Sequence, residues 1–148
     1  MDRTEHRRPR RRGYLTSRVL TEPLVVAGTA VVELAYSCDA QSHDVYVRLS
    51  DVDAKGRSSR VCGGVVRLEG PRASAATLPL ELDATAYRFA AGSRVRLSIA
   101  GGSHPVYARP LDSDGALLGG AYLQPQTHTI THDPARPSSL VLPTVAWT

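Results

Sequence analysis

Apolar and polar side chains alternate with a period of two along most of this chain. Between residues 93 and 101, Val95, Leu97 and Ile99 face one way while Arg94, Arg96 and Ser98 face the other. Val45, Val47 and Leu49 alternate in the same manner with Tyr46 and Arg48, and Val32, Leu34 and Tyr36 share one side of a third run. Leu78, Leu80 and Leu82 repeat the habit, as do "THTITHD" and "SSLVLP" near the end. Successive side chains of a strand project to opposite faces, so this alternation fits strands with one face in a core. No window of ten or more residues offers the 3.6-residue spacing of an amphipathic helix. Turn residues punctuate the runs at Glu22-Pro23, Asp53 to Gly56, Gly63-Gly64, Gly70-Pro71, Ala91-Gly92, Gly101-Gly102, Asp114-Gly115, Gly119-Gly120 and Asp133-Pro134. Short alternating strands separated by such turns predict an all-β fold of two packed antiparallel sheets.

A chain of 148 residues is one domain by length. It can bury roughly two-thirds of the surface exposed when unfolded, so its core needs no disulfide or metal to close it. Aromatic residues make up only 5%, and the core must rest on Val, Leu and Ala. Cys38 and Cys62 lie at the ends of strand-like runs and read as free, buried, structural thiols.

The formal charge of +4 is unevenly placed. Six Arg stand against Asp2 and Glu5 in "MDRTEHRRPRRR", leaving 12 basic and 12 acidic residues that cancel elsewhere. Residues 1–13 therefore read as a basic, disordered leader, and 14–148 as a single neutral β domain. Arg7, Arg8, Arg10, Arg11 and Arg12 could touch phosphates weakly, and nucleic acid is not an expected partner of the folded part. Arg18, Glu22 and Pro23 interrupt any apolar stretch of the roughly 7–15 residues a secretory leader needs. No run approaches the ~18 apolar residues of a membrane span. The default expectation is a cytoplasmic location.

The chemistry that would make the chain an enzyme is weakly represented. Gly101-Gly102-Ser103-His104-Pro105 is the nearest approach to a nucleophile elbow, but Pro105 stands where a second Gly is required and nothing helical follows. Ser103, then Asp112 or Asp114, then His128 or His132 copies the order Ser, Asp, His; these are common loop residues. An autonomous serine hydrolase using Ser103 and His132 is the remotest reading. His128 and His132 are four apart, which on a strand separates them by about 13 Å, too far to share one metal ion. The "DVDAKG" stretch echoes a calcium loop, yet Lys55 and Cys62 occupy positions where ligands are needed, and a hairpin turn is expected. No spacing suited to a phosphate-binding loop occurs. Residues 101–126 form the loosest segment, and Tyr107, Arg109 and Tyr122 are its side chains best able to grip a ligand. No catalytic residue, metal ligand or cofactor is assigned.

The order of several longer pieces is more specific. Leu20 to Gly28 reads "LTEPLVVAG", Asp44 to Val52 reads "DVYVRLSDV", and "CGGVVRL" follows at 62–68. "TAYRFAAGSRVRLSIAGGSHPVYARP" occupies 85–110, and "ITHDPARPSSLVLP" closes the series at 130–143. Taken together, from about residue 14 to 146, these resemble the C-terminal jelly-roll domain of X-Pro dipeptidyl-peptidases and cocaine-esterase-like serine hydrolases. The match departs from the family where a Trp is replaced by Ala84 and a His by Ser93.

That resemblance implies an antiparallel jelly-roll sandwich of galactose-binding-like type, acting as a non-catalytic accessory module. It also implies that the family's dipeptidyl-peptidase or ester-hydrolase triad lies upstream, in an α/β-hydrolase domain outside these residues. His132 and Asp133 then belong to a strand-and-turn motif and carry no catalysis. The expected partner is an α/β-hydrolase domain in trans, or a second copy of the chain. A carbohydrate-binding module, using Tyr107 and Tyr122 against a glycan, is the alternative.

Overall fold

A computed structural model of the chain describes residues 13–70, 72–102, 126–131 and 133–146, with backbone alone over 72–76. All regular structure among them is β-strand. Ten strands follow one another: β1 (Gly13–Thr16), β2 (Leu24–Gly28), β3 (Val31–Cys38), β4 (Ser42–Val52), β5 (Ser58–Glu69), β6 (Arg72–Glu81), β7 (Thr85–Phe89), β8 (Arg94–Ala100), β9 (His128–Thr131) and β10 (Ser139–Val141). Every pairing is antiparallel.

Four strands form one sheet in the order β1-β8-β4-β5. The facing sheet runs β10-β3-β6, with β9 also paired to β3. Strands β9 and β10 divide the length of β3 between them, β10 opposite Val31 to Glu33 and β9 opposite Ala35 to Cys38. A third, two-stranded ribbon of β2 and β7 closes one end. The last described residues run beside it, where Ala27 donates to the Pro143 carbonyl and Val145 to the Val25 carbonyl.

The alternation read from the sequence decides which faces meet. Val45, Val47 and Leu49 of β4 and Val95, Leu97 and Ile99 of β8 point inward, against Val32, Leu34 and Tyr36 of β3 and Leu78 and Leu80 of β6. Val26 and Phe89 close the end from the ribbon, both with no exposed surface. With a single Phe, the core consists mostly of aliphatic side chains, as the composition requires. Both cysteines are free and buried in it. Pro79, which has no N–H to give a ladder, sits in β6 at a sheet edge, where one is least missed.

Turn chemistry is explicit at the β4–β5 hairpin. The Asp53 carboxylate accepts the backbone N–H groups of Lys55 and Arg57 and the Arg57 Nε, and Gly56 takes a φ of 80° that suits glycine. The stretch that echoes a calcium loop is thus a hairpin, as its fifth and twelfth residues predicted.

Gly63-Gly64 departs from the expectation of a turn. Both residues lie inside β5, paired with Arg48 and Val47. A Cβ at Gly64 would run into the backbone carbonyl of Glu81 and stand 2.9 Å from Leu80. The glycine marks a close approach between the two sheets, which in sequence looks the same as a break in a strand. Replacing Gly64 by Ala is expected to cost about 2 kcal/mol or more of folding stability through overpacking. Gly13→Ala, at a site with no atom within 4 Å, is expected to stay within about 0.5 kcal/mol of the parent when both variants are compared by urea titration.

Candidate functional site

Two features stand out from the sandwich. The first is an apolar groove of about 480 Å³ at the open side between the sheets. One wall comes from Leu15 and Leu20 with Val95 and Leu97, the other from Leu34, Leu140 and Leu142. Among the described residues strands β1 and β10, which border it, are each paired on one flank, at the edges of their sheets. Large apolar side chains on these border segments remain in solvent: Tyr14, Leu15, Val19, Val141 and Val145 are all more than a third exposed. Scattered exposed apolar residues are ordinary, but a lined groove with an apolar border is the kind of surface that meets another one.

The second feature is a polar cluster where β9 joins β3, with Tyr36 and His43 buried and His128 half-buried. The Tyr36 hydroxyl and His128 Nδ1 lie 2.7 Å apart, and the His43 ring stands within 6.0 Å of both rings. His43 Nδ1 is 3.2 Å from the Ala40 carbonyl oxygen. Gly101 is needed beside this cluster, because a Cβ there would lie 2.5 Å from His128 Nε2. Burial, and then the positive field of His43, hold the His128 imidazole below its ordinary pKa, opposed by the Asp39 carboxylate nearby. Asp39 itself is held low by the N–H of Thr127, which it accepts at 2.8 Å.

The site residues proposed from sequence are only partly described by this structure. Tyr107, Arg109 and Tyr122, the ligand-binding candidates, lie outside the described residues, as do Ser103, Asp112, Asp114 and His132. His128 is placed on β9 and bonded to Tyr36, which makes it a member of the polar cluster. Asp133 is a turn residue: its Oδ1 accepts the Ala135 N–H and it forms a bridge with Arg136. Ser138 then ties the motif together, its hydroxyl accepting the Ala35 N–H and donating to the Thr131 carbonyl. That bond fills the gap on β3 between the ends of β9 and β10. The closing stretch "ITHDPARPSSLVLP" therefore builds two short strands and a turn across β3. Among the described residues no group of three or more His, Cys, Asp or Glu gathers in metal-binding range.

Sequence reading expected an apolar face for a partner but did not give its residues, and it missed the polar cluster. The groove combines Leu15 with Leu140, 125 positions apart, and neither run shows its neighbour. The cluster needed the pairing of β3 with β9, and "THTITHD" gave only the alternation.

A small antiparallel sandwich with an apolar open side, its closing motif spent on strand pairing, defines a structural module. A family model, the X-Pro dipeptidyl-peptidase C-terminal non-catalytic domain, matches residues 5–141, and the chain belongs to that family. A cocaine esterase from Rhodococcus sp. (strain MB1 Bresler) is 28% identical over 142 residues, covering 88% of this chain and 25% of that enzyme. Among solved structures, an α-amino acid ester hydrolase superposes with a TM-score of 0.75 at 23% identity, covering 91% of this chain and 26% of its own. An aminopeptidase from a marine sediment archaeon, Thaumarchaeota archaeon, gives a TM-score of 0.76 at 18% identity, over 92% and 26% of the two chains. The chain spans about a quarter of the length of these relatives. It matches the non-catalytic domain of a hydrolase family.

The half-buried imidazole of His128 has a consequence for acid stability. An unfolded His takes up a proton near pH 6.5, whereas folded His128 does so only at lower pH. Between the two values only the unfolded chain binds the proton, so stability falls as pH drops through that window and is flat above it. The Tm is expected to fall by several degrees between pH 7 and pH 5, and His128→Asn is expected to lose part of that slope in a calorimetric pH series.

Proposed function

We propose that the chain serves as a non-catalytic accessory module whose groove side docks on the α/β-hydrolase catalytic domain of its family. The apolar groove between β1 and β10 carries this reading. Covering one exposed leucine there is worth about 2 kcal/mol, enough for several such contacts to hold two domains together. Strand β1 also supports it. The relatives are some four times longer, and the family is defined by its C-terminal position, so the catalytic part of such a protein precedes β1.

Under this reading the dipeptidyl-peptidase or esterase chemistry belongs to the catalytic companion. The module buries one side of that companion and helps to shape the approach to its active site. Without the companion, two copies would meet through the same apolar side.

The test is binding to a separately purified α/β-hydrolase domain of the family, followed by sedimentation velocity. The parent chain is expected to form a one-to-one complex, and to self-associate when alone at high concentration. Leu15→Glu together with Leu140→Glu is expected to weaken both by tenfold or more, since a carboxylate cannot be buried there unpaired. A strictly monomeric protein that ignores the hydrolase domain would overturn the docking reading. Fluorophosphonate labelling that disappears in Ser103→Ala would overturn the non-catalytic one.

A further inference from the structure

We propose that the outer face of the β1-β8-β4-β5 sheet holds an oxyanion-binding site made by Arg48, Arg96, Ser50 and Ser98. The strand register sets these four side chains together. Arg48 of β4 is opposite Ser98 of β8, and Ser50, two residues on, is opposite Arg96. Both pairs point away from the core, because Val47 and Leu49 of β4 and Leu97 and Ile99 of β8 point into it. Directly opposed side chains start only about 5 Å apart, so the stems of two arginines and two hydroxyls rise from one small patch.

The patch is short of acceptors. Ser50 and Ser98 are 1% and 4% exposed, and neither hydroxyl has a hydrogen-bond partner. The buried Nε of Arg48 has none either. Arg96 is oriented on its far side, its Nε donating to Thr16 Oγ1 at 3.1 Å and its guanidinium carbon standing 5.9 Å from the Tyr14 ring centre. Among the described residues no carboxylate is paired with Arg48 or Arg96. The acids that reach this sheet's Arg residues are engaged elsewhere: Asp44 with Arg67 through two hydrogen bonds, and Asp83 at 3.9 Å from Arg60.

The sequence makes room for the arrangement at Gly63, which β5 places beside Arg48. A Cβ there would lie 3.0 Å from the Val47 carbonyl oxygen, 3.2 Å from the Tyr46 hydroxyl and 3.3 Å from Arg60 Nη2, so glycine gives Tyr46 and Arg60 room beside Arg48.

A guanidinium can only donate, and the two hydroxyls can donate as well. What completes such a patch must accept several hydrogen bonds at once, and two adjacent cations favour a negative acceptor over water. Arg forks grip paired oxygens in plane, the geometry of a carboxylate or a phosphate. Arg48 and Arg96 are both half-buried on this face. The shared chemistry is an oxyanion presenting two oxygens, whether free phosphate or a carboxylate of an acidic peptide.

Nitrogen-15 NMR of the full chain tests this, with side-chain Nε–Hε and backbone signals followed during titration. Inorganic phosphate and an N-acetyl-glutamate amide are added in separate arms, with chloride at matched ionic strength as the reference. The expected result is saturable shifts at Arg48 and Arg96 and at the amides of residues 48–50 and 96–98, absent with chloride. Saturation by phosphate alone assigns the free anion, and tighter saturation by the glutamate amide assigns a peptide carboxylate. Arg48→Gln is expected to weaken binding about tenfold or more and Ser50→Ala about threefold, with Arg88→Gln on β7 unchanged. If Arg48→Gln loses its dispersed spectrum, Arg96→Gln takes its place with the same expected tenfold loss. Shifts that never saturate, that chloride reproduces, or that survive Arg48→Gln in a folded protein overturn the proposal.

Discussion

Strand β4 must satisfy its backbone on both flanks and its side chains on both faces, and the rest of the sandwich follows from how it does so. It pairs with β8 on one flank and β5 on the other, so its N–H and C=O groups meet partners without recourse to water. Inward, Val45, Val47 and Leu49 are removed from solvent by the opposing sheet. Outward, Asp44 is 2% exposed and survives there because Arg67 of β5 reaches it with two hydrogen bonds, at 2.8 and 3.0 Å. A buried carboxylate without that fork would cost several kcal/mol, so the register of β5 on β4 is fixed from both faces at once.

The consequences spread from this strand. Closing the opposite sheet onto Val47 brings the Glu81 carbonyl so near β5 that only glycine fits at position 64. The Tyr87 hydroxyl donates to Asp51 near the end of β4 at 3.0 Å, which ties the β2–β7 ribbon to the sandwich. Burial, with the Asp51 carboxylate beside it, holds the Tyr87 hydroxyl above its ordinary pKa and keeps it a donor. At the open side Leu15 and Leu140 line the apolar groove between the two sheets.

Much of this was legible before any coordinates. The inward residues of β3, β4, β6 and β8 are those the alternation named, because a pleated strand converts a period of two directly into two faces. Asp53 and Gly56 identified the β4–β5 hairpin, since the capping carboxylate and the positive-φ residue are both local requirements. The glycine pair at 63–64 was misread for the opposite reason. A glycine demanded by a neighbouring sheet carries the same letter as one demanded by a turn. The closing motif was read as strand and turn, and Asp133 and Ser138 play those parts.

The chain's own letters thus determined the class of fold, the membership of the core and the positions of its local turns, because each depends on residues within a few places of one another. Tertiary structure alone decided that β1 pairs with β8, that β9 and β10 share β3, and that His128 meets Tyr36 across 92 positions. It likewise decided that two leucines 125 residues apart line one groove. Strand order and the contacts between sheets depend on long-range closure, where many arrangements preserve the same alternation and only simultaneous packing of both faces selects one.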